Sequence, residues 1–185
     1  MRYPAGETAE KHERILDEAA RLFRERGFAG AGVADIMKAA GLTHGAFYAH
    51  FDSKNELAVE AIGRAFEQSG AALERKMDRS QNAQSAFLDA YLNAAHRDAP
   101  GRGCAMAALA PEVARDPAVR VSFTIHVKNM LSMMTRRFGW KRNDRKKAIH
   151  TLSAAVGALA LARAVDDPEL SNEILESIRD SLGSI

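Results

Sequence analysis

One cysteine, five prolines and a net charge of only +2 are the scarcities of this chain of 185 residues. The single thiol, Cys104, excludes an internal disulfide and agrees with a reducing compartment. The longest apolar run, Ala154 to Ala162, is far short of the roughly 20 residues that a membrane span requires. The opening stretch MRYPAGETAEKH holds no apolar segment of the secretory kind, so a cytoplasmic protein with no membrane partner is expected. No alternating apolar and polar pattern persists, which argues against a large sheet. Enzyme signatures are missing too: there is no GxSxG, no phosphate-cradling glycine loop, no helical histidine pair and no dinucleotide fingerprint. No cofactor and no enzymatic activity are expected. His96, His126 and His150 fall on different predicted helices without ligand spacing, so no metal is expected either. A thiol-dependent enzyme would need a base beside Cys104 that the sequence does not disclose.

The near balance of charge extends to residues 1–54, which hold eight Lys or Arg against eight Asp or Glu. Any argument for nucleic acid therefore rests on pattern. The informative stretch is VADIMKAAGLTHGAFYAHFDSKNEL, Val33 to Leu57. Val33, Ile36 and Ala40 share one helical face, Gly41 supplies a tight turn, and Thr43 is placed to cap the next helix. That short helix, from Gly45 to Phe51, carries Phe47 and Phe51 four apart, both directed into a small core, leaving Thr43, His44, Tyr48 and His50 on its other face. Ser53 and Glu56 read as a capping box that opens another helix, with Lys54 in its first turn. A short helix held across another by a glycine turn is the geometry that enters a DNA major groove, and the small Gly45 and Ala46 permit close approach.

These residues resemble the signature of the TetR family of transcriptional regulators, through Gly41, Gly45, Phe47, Tyr48, His50, Phe51, Ser53 and Lys54. The resemblance implies an all-α chain with a three-helix DNA-binding head, residues 8–53, and a six-helix effector-binding and dimerisation body, residues 54–185. It implies a repressor of operator DNA, released by a small apolar or amphipathic effector. Thr43, His44 and Gly45 are expected nearest the base edges, and Tyr48, His50 and Lys54 on phosphates. Two positions depart from the family pattern: Gly32 stands where a serine or threonine cap is usual, and Ala49 where many members carry a second aromatic.

Periodicity organises the remainder of the chain. Residues 1–7 read as a frayed arm, and a first helix from Thr8 presents Ile15, Leu16, Ala19, Leu22 and Phe23 before stopping at Gly27. Arg21, Arg24 and Arg26 are expected to face that helix's C-terminus, with DNA contact as the alternative. The helix opened by Ser53 continues its stripe to about Met77 and ties head to body. Nine helices are expected, with loops at DRSQN and RDAPGRG, a bend or stop at Pro111 and a solvated basic connection, WKRNDRKK. Phe87, Tyr91, Met106, Phe123, Met130 and Met134 are candidates for an effector pocket, with ordinary core as the alternative. Cys104 joins them as packing or, as the resemblance implies for some members, an electrophile or oxidant sensor. Two apolar rows in the penultimate helix, Ile149, Leu152, Val156 and Leu159 against Ala154, Ala158, Leu161 and Val165, point with Ile174 and Ile178 to a homodimer.

Overall fold

A computed structural model describes residues 5–141 and 144–184. Those residues are all-α. The head comprises α1 (Ala5–Gly30), α2 (Val33–Ala39) and a 3-10 helix (His44–Ala49), and α3 (Lys54–Asp78) leads out of it. The body continues with α4 (Ala83–Tyr91), α5 (Ala94–Asp98), a 3-10 turn (Pro100–Arg102), α6 (Ala105–Val113), α7 (Pro117–Arg137), α8 (Arg145–Ala164) and α9 (Pro168–Gly183). Of the expected frayed arm, residues 1–4 lie outside the described residues and 5–7 are already helical; Arg142 and Asn143 of the basic connection also lie outside them.

Gly27 breaks α1 where the sequence places its end, with φ of 74°. A side chain there would be strained, and a Cβ would strike the Glu112 carboxylate of α6. That carboxylate accepts the Phe28 backbone N–H at 2.7 Å, so the break in α1 is docked onto the body. Pro111 does not stop α6, which runs two residues past it. Its ring removes one intrahelical donor and crowds the Ala107 carbonyl, but only two residues of the helix follow it.

The reading element differs from expectation. Its six residues form a 3-10 helix rather than an α-helix, as short isolated turns often do. Thr43 occupies the N-cap position, but its side chain makes no capping hydrogen bond. Phe51 lies beyond the 3-10 segment, yet its N–H reaches back to the Phe47 carbonyl at 3.0 Å. The two rings therefore still stack, 5.7 Å apart, and both are buried. Burial of each contributes roughly 1.5–3 kcal/mol.

The expected fifth helix is divided. Asn93 follows the end of α4, and its side chain accepts the His96 N–H at 2.9 Å, starting α5 within a stretch expected to be continuous helix and loop. An asparagine offers the backbone this local alternative. With α5 added and the reading element counted as 3-10, the described residues hold nine α-helices by a different route from the one expected.

One contiguous apolar core runs from α1 and the reading element through α3 into α6, α7 and α8. The α3 stripe of Leu57, Ala58, Ala61, Ile62, Ala65, Phe66, Leu73 and Met77 is buried along the helix's length, which makes it the shared beam.

Candidate nucleic-acid interface and body cavity

Behind the head's outer surface lie Ile36, Met37, Phe47 and Phe51, all essentially inaccessible. With Phe47 pinned inward, Thr43, His44 and Gly45 are left exposed, and Tyr48 is 67% exposed. The Tyr48 ring is held by edge contacts with Phe47, at 5.2 Å, and His44, at 6.4 Å. Lys38 of α2 is also exposed.

His50 and Lys54 are less free. His50 is half-buried, with its ring 6.0 Å from that of His12, which in turn stacks on Phe51. Burial, then the nearby His12 and Lys11, hold its pKa below the usual histidine value. It is therefore neutral at neutral pH and offers a phosphate a hydrogen bond rather than a charge. Lys54 donates its ammonium to the Phe28 carbonyl, closing the end of α1. Ser53 Oγ accepts the Glu56 N–H at 3.1 Å, while the Glu56 carboxylate reaches back one residue further than a standard box, to the Asp52 N–H at 2.6 Å.

The three arginines of α1, expected together at its C-terminus, have different surroundings. Arg21 pairs with Glu18 and Glu25 along its own helix, Arg26 is exposed, and Arg24 is 5% exposed. The Arg24 guanidinium donates to the carbonyls of Ala65 (3.1 Å) and Gly103 (3.4 Å) and to the Gln68 side chain (2.8 Å), bridging α1, α3 and the loop before α6. Desolvation pulls its pKa down to about 10, which leaves it charged. A signal existed: Leu16, Ala20 and Arg24 form one buried row four apart. Arginine in such a row spans rather than solvates.

The body holds a cavity of about 300 Å³, bounded by α3, α4, α5 and the loop that ends in Cys104. Of the expected pocket residues it includes Tyr91, Cys104 and Met130. Phe87, Met106 and Met134 are buried core away from it, and Phe123 packs edge-on against Phe66 of α3. The sequence missed His96. Its Nδ1 bonds the Tyr91 carbonyl at 2.7 Å and its Nε2 accepts the Cys104 N–H at 3.1 Å, which fixes the proton on Nδ1. Burial first of all depresses its pKa. Both ring nitrogens are thus committed to main chain, so the imidazole is not a base for the Cys104 thiol. Close packing fixes this corner, because a Cβ on Gly103 would lie 2.8 Å from His96 Nε2 and 2.9 Å from Arg163 Nη2.

On α8 the two apolar rows separate. Leu152 and Leu159 are buried within the protomer, correcting their expected place at an interface. The reason is that Ala148, Ala155 and Ala162 share their face and bring α8 close to the core. Leu161 (58% exposed) and Ile149 (45%) point outward, while Val156, Ile174 and Ile178 are half-buried. Ala154, Gly157 and Leu161 of α8 line one groove with Leu170, Ile174 and Ile178 of α9.

The sequence model of the bacterial regulatory proteins of the tetR family matches residues 15–61. Over 66 residues the chain is 47% identical to the HTH-type transcriptional repressor KstR2 of Rhodococcus jostii, covering 34% of this chain and 32% of that one. The match thus spans about a third of that relative's length. Among solved structures, a TetR transcriptional regulator from Chloroflexus aurantiacus superposes with a TM-score of 0.80 at 24% identity, over 96% of this chain and 94% of that one. The reduced form of E. coli NemR does so with a TM-score of 0.77 at 20% identity, over 95% and 96%. These likenesses show the fold of the whole chain, and the matched segment contains α2 and the reading element. Residues 15–61 thus match the tetR family of bacterial regulatory proteins in sequence, and the whole chain shares its fold with these solved structures.

Proposed function

We propose that this protein is a homodimeric, sequence-specific DNA-binding repressor released from its operator by a small molecule. The observation that carries the reading is the exposed row of Thr43, His44, Gly45 and Tyr48, backed by the buried Phe47 and Phe51. Thr43, His44 and Gly45 meet base edges; Tyr48 and His50 bond phosphates, and Lys54 does so when it leaves the Phe28 carbonyl. Residues 8–53 form the DNA-binding domain and 54–185 the effector and dimerisation domain. Two-fold operators need a two-fold protein, and the outward Leu161, with Val156, Ile174 and Ile178, supplies the apolar face between protomers. The effector occupies the cavity of Tyr91, Cys104 and Met130. The test is binding of the purified protein to DNA flanking its own gene, with and without candidate effectors. Absence of specific binding to any such fragment sinks the reading.

A second reading makes Cys104 an oxidant or electrophile sensor. It draws support from the place of Cys104 at the N-cap of α6, near the Arg24 and Arg163 guanidinium groups, although burial of the thiol at 4% exposure restricts access. Under it, Cys104→Ser retains DNA affinity and loses oxidant-driven release; release unchanged in that variant removes the cysteine from the mechanism.

A further inference from the structure

The chemistry lining the body cavity is one-sided. It contains Lys76 and Arg102, both exposed at its rim, and no aspartate or glutamate. Its apolar portion comes from Ala72, Leu73, Ala90 and Met130. The Tyr91 hydroxyl is buried with only the Cys104 thiol, a weak partner, beside it, and burial above all raises the phenol's pKa, keeping it a donor. A buried donor with so weak a partner costs free energy that a ligand's oxygen acceptor recovers.

Behind the Gly103 wall lie two further guanidinium groups. Arg24 bonds the Gly103 carbonyl, and Arg163 packs against Gly103 while donating to the carbonyls of His96 and Arg97. Neither guanidinium has a carboxylate within ion-pairing distance among the described residues, and Arg24 Nε and Arg163 Nη1 are unpartnered. Buried cations are normally paired with an anion. Arg24 is buried and Arg163 half-buried, and both line a separate groove that also holds Glu25, Asp98, Asp166 and Asp167, so the preference for negative charge within the cavity is set by Lys76 and Arg102.

We infer that the cavity binds a small amphipathic carboxylate, its acid group held between Tyr91, Lys76 and Arg102 and its apolar body laid on Leu73, Ala90 and Met130. This narrows the apolar or amphipathic effector expected from sequence to an anion, and it rests on the effector reading for its biological role but not for binding itself. The full-length protein is titrated with sodium octanoate, octanamide and 1-octanol, monitoring thermal unfolding without DNA and, separately, operator affinity. Octanoate is expected to raise the unfolding temperature at concentrations where octanamide and octanol do not. The Lys76→Gln, Arg102→Gln double variant, altered only at exposed side chains, is expected to bind octanoate about tenfold more weakly. Ala90→Trp, which fills the apolar wall, is expected to abolish binding. Equal binding of octanamide, unchanged affinity in the double variant, persistence in Ala90→Trp, or no binding of octanoate overturns the inference. Octanoate that binds by these criteria yet leaves operator affinity unchanged supports the carboxylate site and counts against release from DNA. Release by octanamide with no preference for octanoate does the reverse.

Discussion

At the scale of single residues, the side chains that matter most are those whose polar atoms are already spoken for. Lys54 is the sharpest case, because one ammonium serves both the Phe28 carbonyl and the proposed phosphate contact. Lys54→Ala is expected to weaken binding to all sequences alike and to lower the salt slope by about one per half-site, whereas His44→Ala relaxes preference at one base position. An unchanged slope with a lowered unfolding temperature assigns Lys54 to α1 alone. The histidines make a second prediction. His50, His96 and His126 all have depressed pKa values, burial being the largest cause in each. The unfolded chain then binds more protons than the folded one just below the ordinary histidine pKa, so their contribution is complete above about 6.5 and is lost as pH falls through the folded values. Denaturant midpoints measured from pH 8 to 5 should therefore fall on the acid side, and His96→Gln should flatten part of that fall. Of these roles, the inward pair Phe47 and Phe51 was legible from spacing. The commitment of Lys54 was not, because its partner is a backbone carbonyl 26 residues away and any residue supplies one.

At the scale of elements, sequence reading succeeds where the signal is local. The Ser53 cap, the α3 stripe and the φ of Gly27 each depend on residues within one or two turns. It fails where two faces of one helix are equally apolar. The α8 pattern shows two rows and cannot say which row the protomer claims; the alanines at 148, 155 and 162 decide it, since they let the core approach. A paired substitution separates the faces. Leu161→Glu places a charge on the outward face and should yield folded monomers with lost operator binding. Leu159→Glu buries an unpaired carboxylate and should unfold the protomer instead. Sedimentation and circular dichroism of both variants distinguish them, and a Leu161→Glu protein that remains dimeric moves the interface elsewhere.

At the scale of the molecule, head and body are joined by more than the α3 beam. The helix α6 has Cys104 at its N-cap, beside the cavity, and near its other end Glu112 grips the backbone of Phe28. Arg24 ties α1 to the Gly103 loop at the near end. A shift of α6 therefore reaches α1 at two points, by rigid contact rather than through a flexible linker. Arg24 is the cleaner probe because its charge has no carboxylate partner among the described residues. Replacing it by an apolar chain of similar length removes the desolvation cost of an unpaired buried charge, which offsets the loss of its hydrogen bonds to Ala65, Gly103 and Gln68, while removing a connection that orients the head. Arg24→Met is accordingly expected to melt near the parent temperature and to bind operator about tenfold more weakly, a coupling within the usual range for linked sites. Thermal unfolding and operator titration on the same preparation decide the matter. A marked loss of stability with unchanged affinity of the folded fraction makes Arg24 a core residue and leaves α3 to carry the coupling by itself.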